Sequence, residues 1–188
     1  MGRHLFFEGP PRIGKSTCLR NKINSSRIKI CGYTVQRVFC DGQIIGYQAA
    51  VVRELPLPRV DIEFYRGMPG LFLFDGESDV SVLEQAVSEV ESIIAGNAVD
   101  CVLFDEIGGV ELASEAFLQP LLRILTSDVP CIGILKSIDN LANTVKMFKQ
   151  QSAIMELHDM LTKTILKRGE IITVTQANID NISHFLNK

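Results

Sequence analysis

One stretch near the start constrains this chain more than any other: Gly9-Pro10-Pro11-Arg12-Ile13-Gly14-Lys15-Ser16-Thr17. It fits G-x-x-x-x-G-K-[ST], a phosphate-binding loop pattern that works only between a strand and a helix. Both flanks agree. Leu5-Phe6-Phe7 is a short apolar run that reads as a buried strand, and Ser16 to about Ser25 can form a helix. Glycines let the backbone wrap a polyphosphate with its N–H groups turned inward, and the helix N-terminus adds partial positive charge. Lys15 can reach the terminal phosphates, and the Ser16 hydroxyl can enter the shell of a Mg²⁺ ion. Gly9 to Thr17 thus read as the binding residues for a nucleoside di- or triphosphate.

The rest of the chain alternates between strand and helix. Tyr33 to Phe39 and Ile44 to Val52 are β-rich runs joined across Asp41-Gly42, a strong hairpin signal. This hairpin falls between the first helix and the later α/β units. We expect few core contacts to hold it and expect it to cover the nucleotide. Pro56, Pro58 and Pro69 punctuate a less regular stretch before the apolar run Leu71 to Phe74. Leu83, Ala86, Val87, Val90, Ile93 and Ile94 form one helical stripe, with Asp79 or Ser81 as caps and Gly96-Asn97 as the end. Val99 to Phe104 reads as a buried parallel strand, and Ser114 caps a helix to about Leu125. Then come a strand over 130–135, a helical stretch over 141–166 with room for one break, a strand over 171–174 and a last helix from about Ile179. This alternation predicts a mainly parallel sheet flanked by helices, with ligands at the carboxyl ends of the strands.

One of those ends carries the second chemical element, Phe104-Asp105-Glu106-Ile107-Gly108-Gly109. An acid directly after an apolar strand, in a chain that has the phosphate loop, suits Mg²⁺ binding through Asp105 opposite Ser16. Glu106 is then the candidate base for the attacking water, with Lys15 the second catalytic residue. Asp105 to Gly108 also fits the D-x-x-G of GTPases, but the Asn-Lys-x-Asp needed for guanine is missing. Lys136-Ser137-Ile138-Asp139 lacks the Asn and has the wrong spacing.

Taken in order, these features resemble the small nucleoside-triphosphatase family of P-loop proteins. The resemblance rests on Gly9 to Thr17, Gly32-Tyr33-Thr34 with its hairpin and Gly46, and Asp105 to Gly108 with Glu111-Leu112. Val129 to Gly133 and Val174-Thr175-Gln176-Ala177-Asn178 complete it. It implies a three-layer α/β P-loop NTPase fold, with a mainly parallel sheet, helices on both faces and an inserted antiparallel β-hairpin. It implies Mg²⁺-dependent hydrolysis of ATP, GTP and other NTPs with little base preference. Arg12 and Gly109 stand where the family has Gly and Lys. Lys136 replaces a His or Arg, Ile179 an Arg, and Leu71 to Phe74 a Gly-Lys-Tyr. Fewer basic groups near the phosphates mean less stabilisation of transition-state charge. Two other activities fit the same residues: phosphoryl transfer to a small acceptor lined by hairpin arginines, and regulatory binding with negligible turnover.

Composition supplies the exclusions. A net charge of −3 over 188 residues argues against a general nucleic-acid binder. No apolar run approaches the ~20 residues of a membrane span. The five cysteines are scattered without a C-x-x-C pair, which favours reduced thiols and a cytoplasmic protein. We expect one domain over 1–188 and a monomer, with oligomers left open. Arg37, Arg53, Arg59 and Arg66 read as solvated, Cys18 as a packing residue, and His4, His158 and His184 as isolated from any metal-ligand spacing. Arg12 faces either phosphate or solvent.

Overall fold

The structure, a computed structural model, describes residues 4–74, 77–145 and 151–179. Its strands are β1 (His4–Glu8), β2 (Ile30–Cys40), β3 (Gln43–Val52), β4 (Asp61–Glu63), β5 (Leu71–Phe74), β6 (Glu77–Ser78), β7 (Cys101–Ile107), β8 (Cys131–Leu135) and β9 (Gly169–Thr173). Its helices are α1 (Lys15–Asn24), α2 (Ser81–Gly96), α3 (Glu115–Thr126), α4 (Ile138–Val145) and α5 (Gln151–Leu166). The strands form one sheet in the order β6-β5-β3-β2-β7-β8-β1-β9, with β4 beside the outer part of β2.

From β2 to β9 the sheet is parallel, and from β2 outward through β3, β5 and β6 it is antiparallel. Side-chain alternation builds the layers. Phe6, Tyr33, Val102 and Phe104 point into a core with Leu83, Val87, Phe117, Leu121 and Leu161, under α2, α3 and α5. Phe7, Ile30, Leu103 and Ile134 point the opposite way, onto Leu19 and Ile23 of α1. Helices therefore cover both faces, as the resemblance implies.

The hairpin forms as expected: Asp41 and Gly42 have φ of +50° and +74°, which a two-residue turn of primed type requires. Its attachment is a correction. Ile30 to Tyr33 pair in parallel with β7, and the same strand runs on to pair with β3. Tyr33, Val38 and Val52 are fully or almost fully buried. The hairpin is thus a continuation of the central sheet, and the expectation of few core contacts is not met.

Helix boundaries follow the pattern closely. Before α2, Asp79 Oδ1 accepts from the Ser81 amide at 3.0 Å, and Asn97 ends the helix with its N–H on the Ile93 carbonyl. Ser114 stands at the start of α3, but its hydroxyl donates to Glu84 and leaves the helix amides uncapped by a side chain. The helical stretch over 141–166 falls on α4, which starts earlier at Ile138, and α5, with residues 146–150 between them outside the described residues. Of the last helix only its expected first residue, Ile179, is described, and His184 lies outside the described residues.

Candidate active site

Three strand ends converge at the carboxyl edge. The loop after β1, the end of β7 and the residue after β8 line one cavity of about 620 Å³. The loop needs unusual backbone. Gly9, Arg12 and Gly14 have φ of +139°, +63° and +96°, the positive-φ backbone from which anion-binding nests of amides are built. Gly9, Pro11, Arg12, Gly14, Lys15, Ser16 and Thr17 line the cavity. Ile13 instead packs against the core beneath α1, and Pro10 is exposed.

Lys15 opens α1 and is buried. Its Nζ donates to the carbonyls of Gly9 at 2.9 Å and Pro10 at 2.6 Å. Burial holds its pKa below the ordinary lysine value, and Glu106 opposes that shift. The ammonium is therefore held at the loop mouth by two neutral acceptors, which a phosphate oxygen can replace.

The carboxylates are set by a break in the β7 ladder. Phe104 pairs with Gly133 and Ile107 with Leu135, so β7 carries one more residue than β8 over this interval. The extra residue is a bulge, a device that re-aims side chains beside active sites. Glu106 takes a φ of +71° there, uncommon for a residue other than glycine. The Tyr33 hydroxyl donates to the Glu106 carbonyl at 3.4 Å. As a result Asp105 and Glu106 both line the cavity, although neighbours on a regular strand point to opposite faces.

Their environments differ. Asp105 is 2% exposed and sits against the equally buried Arg20. The Glu106 side chain is 46% exposed, with Lys136 Nζ 3.7 Å from its Oε1. The Glu106 pKa is raised, first by desolvation in the cleft; Lys136 opposes, Asp105 and Glu111 add, and Lys15 opposes.

Four residues matter here besides the motif residues; Glu111 and Lys136 figure in the family resemblance, whereas Arg20 and Tyr47 carry no signal of their own in the sequence. Arg20, one turn beyond the loop, donates from Nε to Asp105 Oδ2 at 3.0 Å and also pairs with it through Nη2. Glu111 is buried at the cavity wall and accepts the Gly109 amide at 2.7 Å. Lys136 keeps a cation at the place where a His or Arg was missed, so that replacement does not empty the site of charge. Tyr47 joins Arg37 on the hairpin wall. Arg20 carries no short motif, and Glu111 stands out only within the Glu111-Leu112 of the resemblance. For Lys136 the available signal was its place directly after an apolar strand, where Asp105 also stands.

The other arginines separate. Arg37 lines the cavity with its guanidinium on Asp61 at 2.6 and 2.9 Å, while Arg53 pairs with Glu89 and Arg59 and Arg66 are exposed. His4 is a core residue: one ring nitrogen donates to the Leu125 carbonyl and the other accepts the Cys131 amide. His158 bonds the Lys136 carbonyl at 2.7 Å.

Comparison with known proteins shows the family. A sequence model of the family described as NTPase matches residues 4–186. The cancer-related nucleoside-triphosphatase homolog of Mus musculus is 29% identical over 136 residues, covering 68% of this chain and 71% of that protein. Nucleoside-triphosphatase THEP1 of Methanopyrus kandleri is 30% identical over 146 residues, covering 71% and 73%. The solution structure of a human cancer-related nucleoside triphosphatase shares the fold, with a TM-score of 0.60 at 22% identity over 99% of this chain and 96% of that one. The chain belongs to the NTPase family, a family of P-loop nucleoside-triphosphate phosphohydrolases.

Proposed function

We propose that Gly9 to Thr17, Asp105 and Glu106 form one Mg²⁺-dependent site that converts a nucleoside triphosphate to the diphosphate and phosphate. The observation that carries this is the β7 bulge, which turns two adjacent carboxylates into the cavity that the phosphate loop closes. The donor set suits the ion. Ser16 and Asp105 offer hard oxygen donors beside the loop, and Mg²⁺ is commonly held by one or two carboxylates with substrate phosphates and waters. When bound, it would neutralise charge on the β- and γ-phosphates.

Lys15 exchanges the Gly9 and Pro10 carbonyls for phosphate oxygens, and the loop amides hold the rest of the chain of phosphates. Glu106 orients water and takes its proton as the water oxygen bonds to the γ-phosphorus and the bond to the bridging oxygen breaks. A carboxylate with a raised pKa is the stronger base for that step. Lys136 holds Glu106 in the cleft and offsets the charge around it. We read base preference as broad, residues 1–188 as one domain, the chain as a monomer, and the compartment as cytoplasmic in keeping with five unbridged cysteines. Among the described residues, no helix is long and apolar enough to cross a membrane.

One observation favours phosphoryl transfer as a second reading. Besides the loop and the carboxylates, the cavity is lined by Val35, Tyr47, Val60 and Phe72, and by Arg37. Water alone needs no such wall. Measuring phosphate release from Mg–NTP, with and without added hydroxyl compounds such as nucleosides, separates the two: hydrolysis gives free phosphate regardless, transfer gives a phosphorylated acceptor instead.

A further inference from the structure

We infer that Arg20 is the positioning residue for Asp105, fixing which carboxylate oxygen is presented to the Mg²⁺ site. The inference rests on the reading of Asp105 as a metal-holding residue. Arg20 is 3% exposed and spends its guanidinium on four bonds. Nε and Nη2 both go to Asp105 Oδ2, Nη1 goes to the Pro58 carbonyl at 3.0 Å, and Nη2 also reaches the Val35 carbonyl at 2.6 Å. Every bond to the carboxylate falls on Oδ2, so Oδ1 is the oxygen left for a metal. Two N–H groups of the rigid guanidinium fork converge on that one oxygen while Nη1 stays on the Pro58 carbonyl, an arrangement that a point-charge ammonium cannot reproduce.

The same side chain ties three parts of the site together. It leaves α1 one turn after the phosphate loop, crosses to the acid on β7, and ends on the hairpin strand and the segment before β4. A buried ion pair is a poor device for stability alone, since desolvation offsets much of its attraction. Orientation is the better account. Residues that orient metal ligands typically change metal affinity 10–100-fold when altered.

Arg20→Lys tests this, because it keeps the charge and removes the fork. Mn²⁺ binding to the protein saturated with a non-hydrolysable triphosphate is read by electron paramagnetic resonance, with metal-free nucleotide affinity measured alongside. The variant should bind Mn²⁺ about tenfold or more weakly while metal-free nucleotide affinity changes less than twofold. Unchanged Mn²⁺ affinity, with Asp105→Asn weakening it, would overturn the role of Arg20 alone. Unchanged affinity in Asp105→Asn itself would overturn the underlying metal assignment. If Arg20→Lys does not fold, the native protein still decides. The Arg20 Nε–H resonance should shift when Mg²⁺ is added to the nucleotide complex, and a resonance that stays put would refute the proposal.

Discussion

Adding one methyl group at Gly9 tests the packing that shapes the phosphate loop. A Cβ there would stand 2.1 Å from the Val174 carbonyl oxygen and 3.2 Å from its carbon. Both are backbone atoms, and the Val174 amide is already bonded to the Glu8 carbonyl at 2.8 Å, so neither side can yield freely. The backbone φ of +139° adds strain of about 1–3 kcal/mol. Overpacking against the Val174 backbone adds about 1–3 kcal/mol more. Gly9→Ala should therefore lose about 2–6 kcal/mol, a large part of the ~5–15 kcal/mol that holds a domain together. At about 2–4 °C per kcal/mol for a chain of this size, Tm should fall by roughly 4–24 °C. Gly14→Ala is the control. Its φ of +96° carries similar strain, but no atom lies within 4 Å of the added methyl, so its Tm should fall by only roughly 2–12 °C. Thermal melts followed by circular dichroism compare the two. If Gly9→Ala melts at or above Gly14→Ala, the loop does not close on Val174 as described.

Further outcomes follow from the charged groups. Lys15→Ala should abolish nucleotide binding measured by calorimetry while leaving Tm within about 3 °C, because the ammonium serves the loop mouth and not the core. Glu106→Gln should keep nucleotide affinity and cut kcat by about 10²-fold or more, whereas Asp105→Asn should weaken the Mg²⁺ dependence; equal loss of binding in both would contradict the division of roles. Glu106 acts as a carboxylate, so activity is lost as pH falls through its raised pKa. Lys136 holds that pKa down, so Lys136→Met should move the acid limb of the kcat profile to higher pH, and a limb that stays or moves lower would count against it. Burial keeps the His4 pKa below its ordinary 6.5. Below about that pH the unfolded chain binds a proton that the folded chain does not, so stability should fall as pH drops from 6.5. His4→Gln should flatten that slope in pH-dependent melts.

Much of this was legible because short-range patterns carried it. The loop residues Gly9, Gly14 and Lys15 announce themselves by spacing, and Asp41-Gly42 by the turn it alone suits. The apolar stripe of Leu83, Val87 and Val90 needs only helical periodicity. What stayed hidden depends on contacts across the chain. Arg20 meets Asp105 only because α1 packs beside β7, 85 positions later in sequence. The double pairing of β2, parallel to β7 and antiparallel to β3, depends on its unusual length, and both halves read alike as β-rich sequence. The bulge at Glu106 was invisible for a related reason. It shows only in the pairing with β8, and no residue type there demands a positive φ.

Phosphate release from ATP, GTP, CTP and UTP by the native protein, with Mg²⁺ or with EDTA and with Lys15→Ala as the blank, tests the central claim most directly. The account predicts release with all four nucleotides above the blank, at similar rates, and its arrest by EDTA. Release that matches the Lys15→Ala blank, or that continues undiminished in EDTA, would contradict it.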